Sequence, residues 1–313
     1  MNEGMVEKVA VIGAGLMGHG IAQVFAVEGY NVNLMDVDHS RLSNAVKSIR
    51  DNLELMAVNG VGRTEDIDDA VSRITTATRL EEAAAGADFV VEAAPEILDL
   101  KRRLFRDLDS LCPPETVLAT NTSVISITEI AQDTIMGERI VGTHFWNPPY
   151  LVPLVEVIGG RDSSPWAIDL AFDLLKSAGK HPVRVKRDVP GFVGNRLQHA
   201  LWREAISIVE QGIADPETVD EVIKMGFGIR LPVLGPLENA DMIGLDLTLQ
   251  IHGYILKYIE DSHEPSPLLK RKVEEGELGF KTGKGFQVWT EERRGQCAKD
   301  LRQHLIAWNR AQR

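Results

Sequence analysis

The sequence predicts an α/β region over residues 1–187 followed by an all-helical region over 188–313, and three observations carry that reading. Strand-like runs alternate with helical segments as far as Val185, a glycine-rich turn joins the first strand to the first helix, and apolar residues recur with helical period beyond Asp188-Val189-Pro190-Gly191. Strands separated by helices predict a parallel sheet covered on both faces.

The elements follow in order. Lys8-Val9-Ala10-Val11-Ile12 is a continuous apolar run, and after the glycine turn Ile21, Ala22, Phe25 and Ala26 fall at helical spacing. Asn31-Val32-Asn33-Leu34-Met35-Asp36 is a strand ending in an acid, with a long polar helix after it from Ser40 to Val58. The alternation continues through Asp88–Glu92, a helix over Leu100–Leu108, the strand Val117-Leu118-Ala119 and a helix around Ile127. Ile140–His144 and Leu154–Ile158 read as β-branched strands joined by a proline-broken connection, and His181–Val185 is the last strand. Pro190 fits the first turn of a helix running to Gly212; Asp215-Pro216 opens another with an acidic cap, and 242–260 and 296–311 also read as helices.

Composition narrows the class. A chain of 313 residues with 44% hydrophobic content can bury a substantial core in about two domains. With 34 basic against 46 acidic residues, the net charge of −12 leaves no cationic excess to neutralise phosphates, which argues against a nucleic-acid partner. Met1–Lys8 lacks the pattern of a signal peptide and no apolar run approaches membrane-spanning length, so a cytoplasmic location away from membranes is expected. Cys112 and Cys297 lie in unrelated surroundings and the eight histidines show no ligand spacing, so neither a disulfide framework nor a metal site is expected.

Gly13-x-Gly15-x-x-Gly18, with Leu16 and Met17 between its last two glycines, lies between a buried strand and a helix. There the first glycine permits a tight turn, the second lets a pyrophosphate approach the backbone, and the third lets helix and strand pack closely, with the phosphates at the positive end of the helix dipole. Asp36, eighteen residues past Gly18, ends the second strand where a carboxylate can accept ribose hydroxyls and would repel a 2′-phosphate. The expected cofactor is NAD. The other chemical signal is His144 with Glu156, twelve positions apart on consecutive strands. A carboxylate bonded to one ring nitrogen fixes the tautomer, so that the other nitrogen can take a proton.

Several segments together resemble the L-3-hydroxyacyl-CoA dehydrogenase family: Val11–Gly18, Val91-Glu92-Ala93, Asn121-Thr122-Ser123, His144–Pro148, Leu154–Ile158, Pro190–Arg196 and Lys281–Phe286. The resemblance implies a Rossmann-type domain and a helical domain through which two subunits form a homodimer. It implies that His144 is the general base for a small-molecule substrate's 3-hydroxyl and that Glu156 orients it. It places Ser123 and Asn195 at the substrate oxygen, Asn147 near the nicotinamide, and Glu96 and Lys101 at the ribose and nicotinamide end. Read without the family, Ser123 is a strand-end residue or a helix cap, and Lys101 is a solvated charge on a polar helix. Asn195 shares a helical face with Trp202 and Ile206, which directs an amide into an apolar setting.

The match departs from the acyl-CoA enzymes in ways that bear on substrate. Where those enzymes commonly carry lysines for the phosphates of CoA, residues 52–69 hold one cation, Arg63, and five acids. Arg230 stands where they usually have no cation and offers a planar fork for a carboxylate. Trp146 adds bulk beside His144. Segments such as Asn147-Pro148-Pro149-Tyr150 look closer to the branch that includes L-gulonate 3-dehydrogenase and lambda-crystallin, and the proline pair is shared with the pyridine-carboxylate dehydrogenase of vitamin B6 breakdown. A short free hydroxy acid is therefore the expected substrate, with an L-3-hydroxyacyl-CoA and a non-catalytic, crystallin-like nucleotide binder as alternatives. Lys281–Phe286 looks like the acyl-CoA enzymes.

Overall fold

The computed structural model describes residues 6–312. Residues 1–5, on which much of the signal-peptide reading rested, lie outside them. Eight strands form one sheet: Lys8–Ile12 (β1), Asn31–Met35 (β2), Ile74–Ala77 (β3), Phe89–Glu92 (β4), Val117–Thr120 (β5), Ile140–Phe145 (β6), Leu154–Gly159 (β7) and His181–Val185 (β8). Their order is β3-β2-β1-β4-β5-β6-β7-β8. Every neighbouring pair is parallel except β6 and β7. β3 was not foreseen: a short sheet-edge strand with no buried residue carries little apolar signal.

Gly18–Val27 (α1), His39–Val58 (α2), Ile67–Ser72 (α3), Leu80–Ala84 (α4), Leu98–Leu111 (α5), Ile127–Ile130 (α6) and Pro165–Ser177 (α7) accompany the sheet. β1 shows why both faces are covered. Val9 and Val11 pack with Phe25 and Leu34 in one cluster, while Ala10 and Ile12 pack with Phe105, Leu108 and Leu118 in a second. Side chains that alternate across a strand and are apolar on both sides require a helical layer on each.

The expected boundary at residues 187/188 falls just past the last strand, but the compact unit built on the sheet continues to Asn195 and regains the chain from Arg302 onward. The C-terminal residues expected with the helical region therefore belong with the sheet. Ile306 is buried against Val61 and Leu151, and the Asn309 amide donates to the Leu151 carbonyl at 2.7 Å. The connection between β6 and β7 is tied a second time by Lys180, whose Nζ donates to the carbonyls of Pro149 (2.7 Å) and Val152 (2.6 Å). Burial with no anion beside it pulls that ammonium down to about 8.

The helix expected to start at Pro190 begins four residues later, as Gly194–Glu210 (α8). Gly191 (φ +76°) and Phe192 (φ +48°) are both left-handed, which no continuous α-helix permits. The second unit, Arg196–Leu301, holds the rest of α8 and Pro216–Met225 (α9), Pro236–Ile243 (α10), Leu245–Ile255 (α11) and Pro267–Glu274 (α12); Glu291–Gln312 (α13) starts there. Asp215 caps α9 through the Thr218 N–H, as its sequence suggests. The single helix expected over 242–260 is broken by Gly244 at φ +100° into α10 and α11. None of α9, α10 or α11 buries a residue. Among the described residues no helix is long and apolar enough to cross a membrane.

Candidate active site

The antiparallel pair β6/β7 puts His144 directly opposite Glu156. Opposed residues share a face of the sheet, and here Nδ1 of His144 lies 2.8 Å from Oε2 of Glu156, both side chains being buried. The other carboxylate oxygen, Oε1, accepts the backbone N–H groups of Val193 and Gly194, each at 3.0 Å. Burial alone would push the Glu156 carboxyl up, but the His144 hydrogen bond and the two N–H groups outweigh it and hold the carboxyl below its ordinary value. An ionised carboxylate accepts only, so Nδ1 carries a proton, and in the neutral ring Nε2 is the nitrogen with the lone pair. Nε2 makes no hydrogen bond among the described residues, which leaves it free to take a proton.

Glu156 thereby does two things, and only the first was foreseen. It orients His144, and it ties down the two residues that follow Phe192, a side chain held at positive φ with its ring centroid 5.8 Å from that of His144. A non-glycine residue in this conformation stores roughly 1–3 kcal/mol, which persists only where neighbours over-determine it. The signal that could have revealed the second role is a buried acid preceding an uncapped glycine-rich helix start.

Asn195, largely buried, donates from Nδ2 to the Ser123 carbonyl at 2.9 Å, so these two expected residues meet. Trp202 and Ile206, on the same helical face, are not in a closed apolar setting, for Trp202 is half exposed. Ser123 does not cap the following helix; Ser126 does, accepting the Glu129 N–H. The segment is held from behind by Glu96, whose Oε1 accepts Thr122 Oγ1 (2.6 Å), Ser123 N (2.9 Å) and Val124 N (3.2 Å). Burial opposes the charge on Glu96, yet the Thr122 hydroxyl, the Lys101 ammonium and these N–H groups hold its carboxyl below the ordinary value.

Lys101 is not the solvated charge that its helix suggested. It is 1% exposed, and Nζ donates to Glu92 Oε1 and Oε2 at 2.7 and 2.9 Å with Glu96 Oε2 at 3.4 Å. Glu92, fully buried at the end of β4 and bonded also by the Thr120 hydroxyl, completes this group, a role that a strand-end acid does not reveal in the sequence.

The glycine turn has the shape that a dinucleotide requires. Gly13 stands at φ +108°, and a Cβ on Gly18 would collide with the Gly13 carbonyl, while a Cβ on Gly15 would meet nothing within 4 Å. That open space over Gly15 is room for a pyrophosphate against backbone, and no acid occupies the first turn of α1 to repel it. Leu16 is exposed beside it and Met17 packs against the core. Asp36 accepts the Ala14 N–H at 3.0 Å and the Asp38 N–H at 3.2 Å, so its carboxylate shapes the turn and retains lone pairs for a ribose. Trp146 packs beside His144 with ring centroids 5.2 Å apart and the rings tilted by 53°, and the exposed Asn147 follows it, joined to Pro148 by a cis bond. Arg230 belongs to the second unit, exposed and without an ion pair among the described residues. There the Lys281–Phe286 segment is a glycine turn in which Lys284 pairs with Glu277.

The family model described as 3-hydroxyacyl-CoA dehydrogenase, NAD binding domain, matches residues 8–189, and that of the C-terminal domain matches 191–289. The chain belongs to the 3-hydroxyacyl-CoA dehydrogenase family. It is an NAD-dependent oxidoreductase acting on a CH–OH group. Among its relatives in the family, the 5-formyl-3-hydroxy-2-methylpyridine 4-carboxylate 5-dehydrogenase of Mesorhizobium japonicum is 34% identical over 98% of both chains. A probable 3-hydroxybutyryl-CoA dehydrogenase of Bacillus subtilis is 40% identical over 91% of this chain and 98% of its own. The crystal structure of a 5-formyl-3-hydroxy-2-methylpyridine 4-carboxylic acid 5-dehydrogenase, described as an NAD+ dependent dismutase, superposes with a TM-score of 0.90 at 32% identity over 98% of both chains. That of (S)-3-hydroxybutyryl-CoA dehydrogenase from Ralstonia eutropha gives 0.77 at 34% identity, over 92% of this chain and 100% of that one.

Glu156→Gln tests the double role. An amide offers one acceptor oxygen to three N–H groups, so unfolding in urea should show a loss of roughly 1–3 kcal/mol at pH 7. A carboxyl lowered by folding stabilises above its unfolded pKa and loses that contribution as the pH falls through its folded value. The stability gap between wild type and variant should therefore stay level from about pH 7 to about pH 5 and narrow at lower pH.

Proposed function

We propose that the chain oxidises the 3-hydroxyl of a short L-3-hydroxy acid to the 3-keto product, with His144 as general base. The observation that carries this is the His144–Glu156 pair, ionised on the carboxylate side and open at Nε2, within the same unit as the glycine turn. Bound NAD supplies the hydride acceptor. His144 Nε2 takes the hydroxyl proton, and Glu156 stabilises the resulting imidazolium while keeping its ring in place. Ser123 and Asn195 hold the substrate oxygen, the amide having an acceptor to spare once Nδ2 is bonded to the Ser123 carbonyl. Glu96, Lys101 and Asn147 shape the nicotinamide and ribose end, Lys101 acting through Glu96. His144→Ala should fold and bind NADH, read by fluorescence titration, and lose at least about 100-fold in kcat. A variant with wild-type turnover would remove His144 from the mechanism.

A free acid is supported by the charge of the region after Asn52. Its single cation, Arg63, is paired with Glu65, and Asp68 and Asp69 engage Arg50 and Arg73, so no surplus of positive charge faces a polyphosphate. The similarity to a pyridine-carboxylate enzyme along the whole chain supports the same reading. Arg230, free of an ion pair among the described residues, would anchor the carboxylate, and Trp146 would limit the pocket beside His144. Relatives acting on 3-hydroxybutyryl-CoA favour the second reading, a CoA thioester. NAD reduction by free 3-hydroxy acids and by their CoA esters separates the two. On a free acid Arg230→Ala should raise KM about tenfold or more while leaving NADH affinity unchanged.

The helical unit supports a homodimer. Leu237, Met242, Leu245, Leu249, Tyr254 and Tyr258 are all strongly exposed, and apolar side chains left in solvent in such number fit an interface between copies. Light scattering should give twice the 34.6 kDa chain mass, and a single-chain mass would refute it.

A further inference from the structure

Gly194 opens α8, immediately before Asn195. Its N–H donates to Glu156, and a Cβ built on it would run into Cζ2 of Trp146, with Cε2 and Cη2 both at 3.2 Å. The indole thus lies against the start of α8 and close to the His144 imidazole. Its Nε1–H is buried without a hydrogen-bond partner among the described residues. A smaller apolar ring at 146 would leave no such group unsatisfied, so stability alone does not account for a tryptophan here.

We propose that Gly194 is a specificity-determining residue: by carrying no side chain it lets the Trp146 indole lie against the helix start, and the pair together sets how wide a substrate can sit beside His144. The substrate class this admits is a short hydroxy acid without a long acyl chain at C3. The inference rests on the reading of His144 as the base, and it adds a residue to which the sequence attaches no chemistry. Its logic is mechanical. A methyl group at 194 has two ways to be accommodated, a shift of the indole toward His144 or a shift of α8 that loosens the Gly194–Glu156 bond and moves Asn195. Either displaces a reacting group, and a misplacement near 1 Å is enough for a rate loss of about 100-fold.

The experiment compares wild type, G194A, W146F and the double variant on a series of free 3-hydroxy acids of increasing chain length and on the matching CoA esters, with NADH affinity measured in parallel. G194A should lose about 100-fold in kcat/KM on the best wild-type substrate while NADH affinity changes less than about twofold. W146F should accept longer acyl chains than wild type, and adding it to G194A should restore at least about tenfold, a non-additivity expected of two groups in contact. Additive losses in the double variant would overturn the proposal, as would a W146F chain-length profile identical to that of wild type; this second arm stands even if G194A fails to fold. Wild-type protein that turns over no member of either series would instead defeat the dehydrogenase reading itself.

Discussion

One buried carboxylate organises the candidate active site. Glu156 receives a ring N–H from His144 and two backbone N–H groups from the start of α8, three donors from two parts of the chain that are far apart in sequence. Burying an anion is unfavourable unless it is matched by hydrogen bonds, and here the match is what locks the parts together. The imidazole cannot rotate without giving up Oε2, and the helix start cannot move without giving up Oε1. The orientation of the proposed base and the placement of Asn195 are therefore set by the same atom group.

That arrangement depends on the one irregularity in the sheet. If β7 ran parallel to β6, a crossover would separate the two strands and the residue opposite His144 would come from a different part of the sequence. The antiparallel return makes Glu156 the register partner of His144, and the connection that permits it is tied at Pro149, Leu151 and Val152 by Lys180 and Asn309. Those ties reach from the α7–β8 turn and from α13. A second buried ionic group holds the Ser123 segment: Glu92 fixes Lys101, Lys101 faces Glu96, and Glu96 gathers the N–H groups around Ser123. In both cases a charge that looks costly in isolation fixes a loop that would otherwise be free to move.

What was legible in the sequence was what leaves a periodic or compositional trace. Glycine spacing, apolar strands and the helical period beyond residue 188 gave the architecture, because each reflects burial of a face or a backbone conformation that few residues adopt. His144 and Glu156 stood out because they interrupt β-branched strands with titratable groups. What stayed hidden depended on tertiary contact. Lys101 reads as solvated because its neighbours on α5 are polar, and only the position of Glu92 beneath it shows that it is buried. The start of α8 was misplaced because Pro190 is a good first-turn residue by local propensity, whereas the left-handed Gly191 and Phe192 answer to Glu156, some thirty-five residues away. β3 and the return of α13 to the sheet unit carry no local signature at all.

The same division explains why the reaction is easier to read than the substrate. The proposed proton abstraction needs a fixed constellation, here built on a sheet register and a helix start, while the family's named members act on molecules as different as a pyridine carboxylate and 3-hydroxybutyryl-CoA. Substrate choice in such a site is a matter of volume and charge at the edge of that constellation, which single residues can alter. In the proposal, Trp146 and Gly194 trade the volume of a ring against a missing side chain. A residue that alters the pocket can thus change with little effect on the fold, provided it does not draw on the atoms that Glu156 holds. Gly194 is the position where that proviso is tightest, because its nitrogen belongs to the carboxylate and its empty side faces the indole.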